Sequence, residues 1–318
     1  MSNFFDPAIL FFVFGVFAGA VKSNLEIPQP IARFLSLYLL MALGLKGGFA
    51  LHKSGFTIEI GLALGLAVFL AILIPLIGYL VLRTKLNNYD SAAIAATYGS
   101  VSAVTFITAT QALDQYGIAF GGYMAAAMAL MESPAIILAI LLANKARTST
   151  TNSKKPNGVS KILHESFTDG AQLLLLGSML VGLVSGDSGQ KIMAPFSIDL
   201  FKGMLAFFLL DMGLMAAKNF GGLKGKPIIT LLYAIGAPLI HASIALSLSK
   251  LLGLPLGDRV LLMVLAASAS YIAVPATMKI TVPKANPGLY LPMALAVTFP
   301  VNITIGMPIY LSIINCTT

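Results

Sequence analysis

The sequence predicts an all-α, polytopic membrane protein with ten transmembrane helices in two inverted five-helix repeats, in which helices 4 and 9 are broken. Its 318 residues are 58% apolar and only 10% charged, whereas soluble globular proteins carry about 25% charged residues. Apolar stretches of about 18 residues or more recur along the chain, and each can cross about 30 Å of hydrocarbon. No stretch of domain length alternates as strands do, so a soluble domain is excluded.

The apolar stretches define the predicted helices. They cover residues 6–21, 29–51, 57–83, 90–113, 119–143, 168–186, 197–219, 226–252, 258–280 and 288–315. Residues 1–6 have neither the basic region nor the cleavage site of a signal peptide, so we expect the first helix to be retained. The predicted domains are a first repeat (1–143), a linker (144–166) and a second repeat (167–318).

The distribution of lysine and arginine predicts the orientation. With the N-terminus outside, fourteen of the twenty basic residues fall in inner connections and six in outer ones. Because cytoplasmic connections are enriched in positive charge, we expect both termini outside the inner (plasma) membrane and the 144–166 linker in the cytoplasm. This topology in a lipid bilayer accounts for the net charge of +8. The scattered basic residues form no face interleaved with aromatics, so nucleic acid is not an expected partner.

The two halves of the chain are similar to each other. A shift of about 168 residues aligns residues 43–45 with 212–214, residues 99–104 with 267–272, and Asp90 with Asp258. Since each half contains an odd number of predicted helices, two related halves must have opposite topology, as in many secondary transporters. Chance similarity between two apolar helices is the alternative.

Two stretches rich in small and hydroxyl residues interrupt the fourth and ninth predicted helices, at 97–105 and 266–277. Gly99 removes side-chain bulk and Pro275 removes a backbone donor, so both helices can break near the middle of the bilayer. Helix N-termini at such breaks carry partial positive charge and free N–H groups, which suit an anion. Neither break contains Lys or Arg. Small-residue packing faces are the alternative interpretation.

Glu132 is the predicted site for a coupling cation or a proton. It lies near the middle of the fifth helix and is followed by Pro134, and an ionisable group at that depth commonly marks an ion path or proton relay. A carboxylate that serves only packing is the alternative. The matching part of the tenth helix has no acid. The predicted ion-coupling residues are Glu132, Asn302 and Thr277.

Asp211, in the middle of the seventh helix, is a weaker candidate. The favoured interpretation is a structural ion pair with Lys46 of the second helix, because a buried charge needs a partner. His241 is expected to be an intramembrane histidine whose hydrogen bonds are satisfied.

Three glycine pairs spaced four residues apart predict helix-packing or oligomer contacts; they are Gly15 and Gly19, Gly44 and Gly48, and Gly61 and Gly65.

Catalytic and metal-binding patterns are missing from the sequence. Cys316 is the only cysteine, and His52, His164 and His241 lack ligand spacing, so no metal cluster, disulfide or cofactor is expected. The sequence contains no nucleophile motif and no phosphate-binding glycine loop. An enzyme is therefore not expected, and transport would be secondary or passive.

Several blocks of the sequence resemble the sodium-dependent bicarbonate transporters of the SbtA type, as a divergent member of that family. The blocks are residues 43–48, 99–105, 132–135, 211–213, 237–241, 266–268 and 283–287. The resemblance implies core and gate domains, a homotrimer, an elevator-like movement, Na⁺ as the coupling ion and a cytoplasmic PII-like regulator. It places the substrate where the broken helices cross. The resemblance carries over Ser100, Ser102, Thr105, Ser268 and Ser270 as substrate contacts, and Gly99 and Tyr271 complete the predicted substrate-binding residues.

The sequence departs from the family pattern at both breaks. The family has Gly-Ser-Thr where this chain has Ala103, Val104 and Thr105, and it has Ser-Ser-Asp where this chain has Ala269, Ser270 and Tyr271. A phenol in place of an acid changes the shape and charge of the predicted pocket.

Three hypotheses for function follow. The first is a secondary symporter for a small anion, bicarbonate by family, coupled to Na⁺. The second is a proton-coupled permease for another small carboxylate or anion, driven through Glu132. The third is an intramembrane enzyme or receptor, which would need a catalytic pair at helical spacing, and the sequence contains none.

Overall fold

The computed structural model describes residues 6–55, 57–148, 170–223, 225–271, 274–275, 278 and 282–315. These residues form helices joined by short connections, with no strand among them, which confirms the all-α prediction. The helices before the C-terminal region are α1 (Pro7–Ala20), α2 (Gln29–Ser54), α3 (Ile58–Leu82), α4 (Asn88–Gly99), α5 (Ala103–Gln115), α6 (Met124–Thr148), α7 (Gly170–Ala194), α8 (Phe201–Asn219), α9 (Ile228–Leu251) and α10 (Leu256–Ala267).

The C-terminal helical run, residues 287–315, alternates between α- and π-helix. It consists of α11 (Pro287–Pro292), π-helical Met293–Thr298, α12 (Phe299–Val301), π-helical Asn302–Gly306 and α13 (Met307–Asn315). Pro292 and Pro300 have no N–H to donate within this run, so the regular hydrogen-bond pattern of an α-helix is interrupted there. Wide turns of this kind are often found at functional sites.

Six stretches within the described residues are long and apolar enough to cross a membrane. They are Gln29–Lys53, Ile58–Leu82, Asn88–Gln115, Leu173–Gly222, Ile228–Leu251 and Pro287–Ser312. Leu173–Gly222 is 50 residues long and contains most of α7 and all of α8. Shorter apolar helices occupy Pro7–Ala20 and Met124–Leu138. These stretches support a multi-pass membrane protein, while the number of ten transmembrane helices and the inverted repeat stay predictions.

One predicted boundary agrees with a kink in the structure and another differs. The sixth predicted helix ends at residue 186, where a non-helical Gly186 with φ 55° and ψ −143° divides α7 into two helical segments, the second of which ends at Ala194. Glycine adopts this conformation at little cost. The fifth predicted helix ends at residue 143, whereas α6 continues to Thr148. Most of the predicted linker lies outside the described residues.

Glycines allow two helix pairs to pack very closely. A Cβ on Gly15 of α1 would lie 2.3 Å from the Leu210 carbonyl oxygen of α8. A Cβ on Gly48 of α2 would lie 2.1 Å from the Met179 carbonyl oxygen of α7. The packing role predicted for these two glycine patterns is therefore confirmed. The third pattern differs, because a Cβ at Gly61 would meet no described atom within 4 Å.

Matching aspartates connect the starts of α4 and α10 to the opposite half of the chain. Asp90 Oδ1 accepts a hydrogen bond from the Asn286 N–H at 2.7 Å. Asp258 Oδ1 accepts one from the Gly121 N–H at 2.6 Å, and the Tyr123 hydroxyl donates to Asp258 Oδ2. Both carboxylates lie in the first turn of a helix, where the helix dipole favours negative charge. They fix the helices that lead into the two breaks.

Candidate functional site

The first break lies between α4 and α5. The α4 helix ends at Gly99, Ser100 is extended (φ −94°, ψ 177°), and α5 begins after Ser102. Gly99 packs against α3, where a Cβ would lie 2.5 Å from Cγ of Pro75. Ser102 Oγ accepts hydrogen bonds from the Thr105 N–H at 3.2 Å and from Thr105 Oγ1 at 3.0 Å. The serine thus caps the N-terminus of α5.

The second break follows α10 and has the same local design. The α10 helix ends at Ala267, and Ser268 is extended (φ −80°, ψ 167°). Ser270 Oγ accepts a hydrogen bond from the Val274 N–H at 3.3 Å, as Ser102 accepts one from Thr105. The interruption of both predicted helices is therefore present in the described residues.

The two breaks contact each other directly. The Ser102 N–H donates to Ser268 Oγ at 3.0 Å, and the Ser270 N–H donates to the Thr97 carbonyl at 2.8 Å. All four residues are buried. The structure therefore brings the predicted substrate residues of the two halves together at one crossing point.

Unpaired polar groups remain at this crossing. Ser100 Oγ is buried and has no hydrogen-bond partner within the described part of the chain, and the buried Tyr271 hydroxyl makes no regular hydrogen bond there, although it interacts with the Ser102 side chain. A buried polar group without a partner costs free energy, so such groups commonly mark a place where a ligand or water binds. The N-terminus of α5 points its partial positive charge at the same break. Together these features favour a small anion.

Tyr271 connects the second break to the C-terminal helical run and to α8. Its ring contacts the Phe299 ring, with 5.4 Å between centroids, and Phe299 contacts Phe12 of α1 at 5.3 Å. Its hydroxyl also interacts with the Ser102 side chain of the first break and, electrostatically, with Asp211 of α8. Through the Phe299 ring, the phenol is linked to the α1 side of the pair formed by α1 and α8.

The predicted ion-coupling residues have different surroundings. Asn302 is buried; its Nδ2 donates to the Ala267 carbonyl at 2.7 Å, and its Oδ1 accepts from the Tyr310 hydroxyl at 3.0 Å. It thus holds the last residue of α10. Glu132 is half-buried on α6, a helix that packs against α3 and α4. Thr277 lies outside the described residues. Coupling through these residues stays a prediction.

The ion pair predicted between Asp211 and Lys46 is wrong. Lys46 Nζ lies 3.7 Å from Asp114 Oδ2 of α5 and 4.4 Å from the centre of the Phe201 ring. The Asp114 side chain is 47% exposed, so pairing there requires less desolvation than pairing with the buried Asp211. Asp211 Oδ2 has no hydrogen-bond partner in the described part of the chain.

His241 also differs from its prediction. Its ring hydrogen-bonds to the backbone of Ala266, but Nδ1 has no partner among the residues that the structure describes. Only one side of the ring is therefore satisfied. Within the same residues, no three His, Cys, Asp or Glu side chains form a group that could hold a metal ion.

Sequence reasoning missed a polar contact behind the first break. The Tyr98 hydroxyl and Thr298 Oγ1 are hydrogen-bonded at 2.6 Å, and Thr298 Oγ1 donates to the Ala234 carbonyl at 2.7 Å. This contact joins α4, α9 and the C-terminal helical run. The position of Tyr98 beside Gly99 was the only available signal, since the partner is 200 residues away in the chain.

A cavity of about 400 Å³ lies beside the site, between α2, α5 and the connection from α5 to α6. Lys46, Lys53 and Asp114 line its polar part, and Phe106 and Thr110 of α5 line its wall. Phe106 directly follows Thr105 of the first break. The cavity therefore extends along the helix that begins at the break.

Apolar helices of membrane-spanning length and a buried crossing of two broken helices define a membrane transport protein. A family model of the Na⁺-dependent bicarbonate transporter superfamily matches residues 7–315, and the chain belongs to this superfamily. The protein is therefore a transporter and not an enzyme. Comparison with curated proteins gave no match.

Proposed function

We propose that the protein takes up bicarbonate together with Na⁺, as a secondary symporter. The observation that carries the proposal is the contact between the breaks, formed by the Ser102–Ser268 and Ser270–Thr97 hydrogen bonds. Non-helical backbone is tolerated inside a membrane only where protein or a cavity surrounds it. In transporters with inverted repeats, such breaks form the substrate and ion sites.

The proposed substrate site combines a helix dipole with neutral hydroxyl groups. The N-terminus of α5 supplies positive potential, and the unpaired Ser100 hydroxyl supplies a donor. The breaks contain no Lys or Arg, so a bound anion would be balanced by a co-bound cation. The proposed substrate-binding residues are Gly99, Ser100, Ser102, Thr105, Ser268, Ser270 and Tyr271.

The proposed Na⁺ sites use oxygen atoms at the same crossing. Carbonyl groups at the C-terminal ends of interrupted helices coordinate Na⁺ in such transporters, and α4 and α10 both end at the breaks. Asn302 holds the last carbonyl of α10 in place. Glu132 and Thr277 complete the proposed set of coupling residues.

We assign alternating access to an elevator-like movement of the helices that carry the breaks. The glycine-packed pairs α1–α8 and α2–α7 supply the gate that stays in place. In the proposed repeat, α1 is equivalent to α7 and α2 is equivalent to α8. The pair α1–α8 is therefore equivalent to the pair α2–α7. The matched roles of Asp90 and Asp258 also support an inverted repeat.

The cavity beside α5 is the proposed entry route. It borders the gate helix α2 and the break helix α5, and Lys46 and Lys53 bring positive charge to it. The proposal includes both termini outside the inner membrane, assembly as a homotrimer and a PII-like regulator on the cytoplasmic face. The lysine and arginine distribution supports the orientation, and the resemblance to the SbtA type supports the trimer and the regulator.

The test is uptake of labelled bicarbonate into proteoliposomes, with and without an inward Na⁺ gradient. Uptake that requires the gradient supports Na⁺ symport of bicarbonate. Uptake of another small carboxylate that follows a proton gradient and ignores Na⁺ would instead establish the permease hypothesis. Correct insertion is checked by protease protection in both cases.

A further inference from the structure

Asp211 is a buried carboxyl group with no ion pair among the described residues. It is on α8, a helix that packs closely against α1, and the residue is only 6% exposed. Oδ2 has no hydrogen-bond partner among the described residues. The two ion pairs found in the same residues, Lys46–Asp114 and Lys53–Asp187, do not include it.

Among the described residues, no charged group on the elements packed against α8 has a resolved interaction with Asp211. Helix α1 and π-helical Met293–Thr298 have no ionisable side chain, and Lys46 of α2 is turned towards Asp114. Asp199 and Tyr290, on the other packed elements, have no resolved interaction with Asp211. Lys218 interacts with it electrostatically, but this lysine is exposed and lies two turns away, about 10 Å along the helix.

Tyr271 is the polar group of the second break that interacts electrostatically with Asp211, and its buried hydroxyl also interacts with the Ser102 side chain of the first break. An unpaired buried carboxyl group becomes neutral by taking up a proton.

We infer that Asp211, buried in α8 with an unpaired carboxyl oxygen, is a proton-binding site distinct from the coupling residues proposed above. The proton binds to a carboxylate oxygen of Asp211 and leaves it when the break moves away from α8. Protonation removes the charge of a buried carboxyl group that no described ion pair balances, and so favours the arrangement of the helices described here. The inference on transport rests on the proposed function, but proton binding itself does not.

Infrared spectroscopy of the purified protein tests proton binding directly. A protonated carboxyl group has a C=O stretching band that an ionised carboxylate lacks. We expect this band at neutral pH in the wild type, its loss in Asp211→Asn, and its retention in the control Asp114→Asn, whose carboxylate is partly exposed. An unchanged band in Asp211→Asn would overturn the inference, as would a band that Na⁺ removes at constant pH.

Tyr271→Phe is the second variant, in case Asp211→Asn does not insert. It keeps the carboxyl group and removes the hydroxyl that interacts with it, so we expect the pH at which the band disappears to shift. If that pH is the same in Tyr271→Phe and in the wild type, Tyr271 does not belong to the site and the proposed pair is contradicted.

Bicarbonate uptake at a series of pH values tests the role in transport. We expect Asp211→Asn to lose the pH dependence of the wild type, because asparagine is neutral at every pH, and Asp211→Glu to restore it. Asp114→Asn should keep the wild-type profile. A wild-type profile in Asp211→Asn would overturn the transport role. If the wild type takes up no bicarbonate at any pH, the proposed substrate fails, and the infrared result still decides whether Asp211 binds a proton.

Discussion

The Ser102 N–H donates to Ser268 Oγ at 3.0 Å, although the two residues are 166 positions apart in the chain. Ser268 Oγ in turn donates to the Leu265 carbonyl at 2.9 Å. One hydroxyl therefore satisfies the backbone of both broken helices, and the geometry of one break depends on the other.

Replacing this hydroxyl should impair transport more than folding. Ser268→Ala leaves the buried Ser102 N–H without its acceptor, at a cost of about 1–3 kcal/mol. If this free-energy cost destabilises only one conformational state of the transport cycle, uptake falls by about 5- to 150-fold. The measurement is the initial rate of bicarbonate uptake per inserted protein.

The matched control is Ser243→Ala on α9, an exposed serine whose hydroxyl bonds only to the Leu239 carbonyl of its own helix. This control should transport at the wild-type rate. Equal rates in Ser268→Ala and the wild type would show that the contact between the breaks is dispensable.

Composition predicted where the helices break but not how their side chains pair. Gly99 and its neighbouring serines marked the first break, and Ser268, Ser270 and Pro275 marked the second, because such residues are unusual in the middle of an apolar helix. The pairing of Lys46 was mispredicted, because aligning the two halves indicates the depth of a residue in the membrane but not the direction of its side chain. The bond from Asn302 to the Ala267 carbonyl was likewise inaccessible, since it depends on the path of the π-helical turn Asn302–Gly306.

The close packing of α2 on α7 should tolerate no methyl group. A Cβ at Gly48 would lie 2.1 Å from the Met179 carbonyl oxygen, which belongs to rigid backbone. We expect Gly48→Ala to lower the free energy of unfolding by about 1–3 kcal/mol, as overpacking does. Thermal unfolding in detergent is the measurement.

Gly61→Ala serves as the control for this helix contact, because its Cβ would meet no described atom within 4 Å. Alanine also favours a helix over glycine by about 1 kcal/mol, so the control should be as stable as the wild type or more stable. A similar loss of stability in both variants would contradict the packing role of Gly48.

Asp258 should contribute more to stability than an exposed aspartate. Asp258→Ala removes the acceptor for the Gly121 N–H and the Tyr123 hydroxyl, and each unpaired buried donor costs about 1–3 kcal/mol. Asp187→Ala loses only an exposed ion pair with Lys53 at 3.6 Å, worth about 0–1 kcal/mol. In detergent, Asp258→Ala should unfold at a lower temperature than Asp187→Ala, and equal stability would argue against a stabilising role for the Asp258 hydrogen bonds.

If the cavity beside α5 is the entry route, a bulky charged group inside it should block uptake. Ile118→Cys, in a Cys316→Ser background, places a single thiol on the cavity lining. Treatment with a negatively charged thiol reagent should abolish most uptake, and excess bicarbonate should slow the loss. Ser188→Cys is the control, because this exposed position on α7 is outside the cavity lining. Full activity after complete labelling of residue 118 would mean that bicarbonate reaches the breaks by another path.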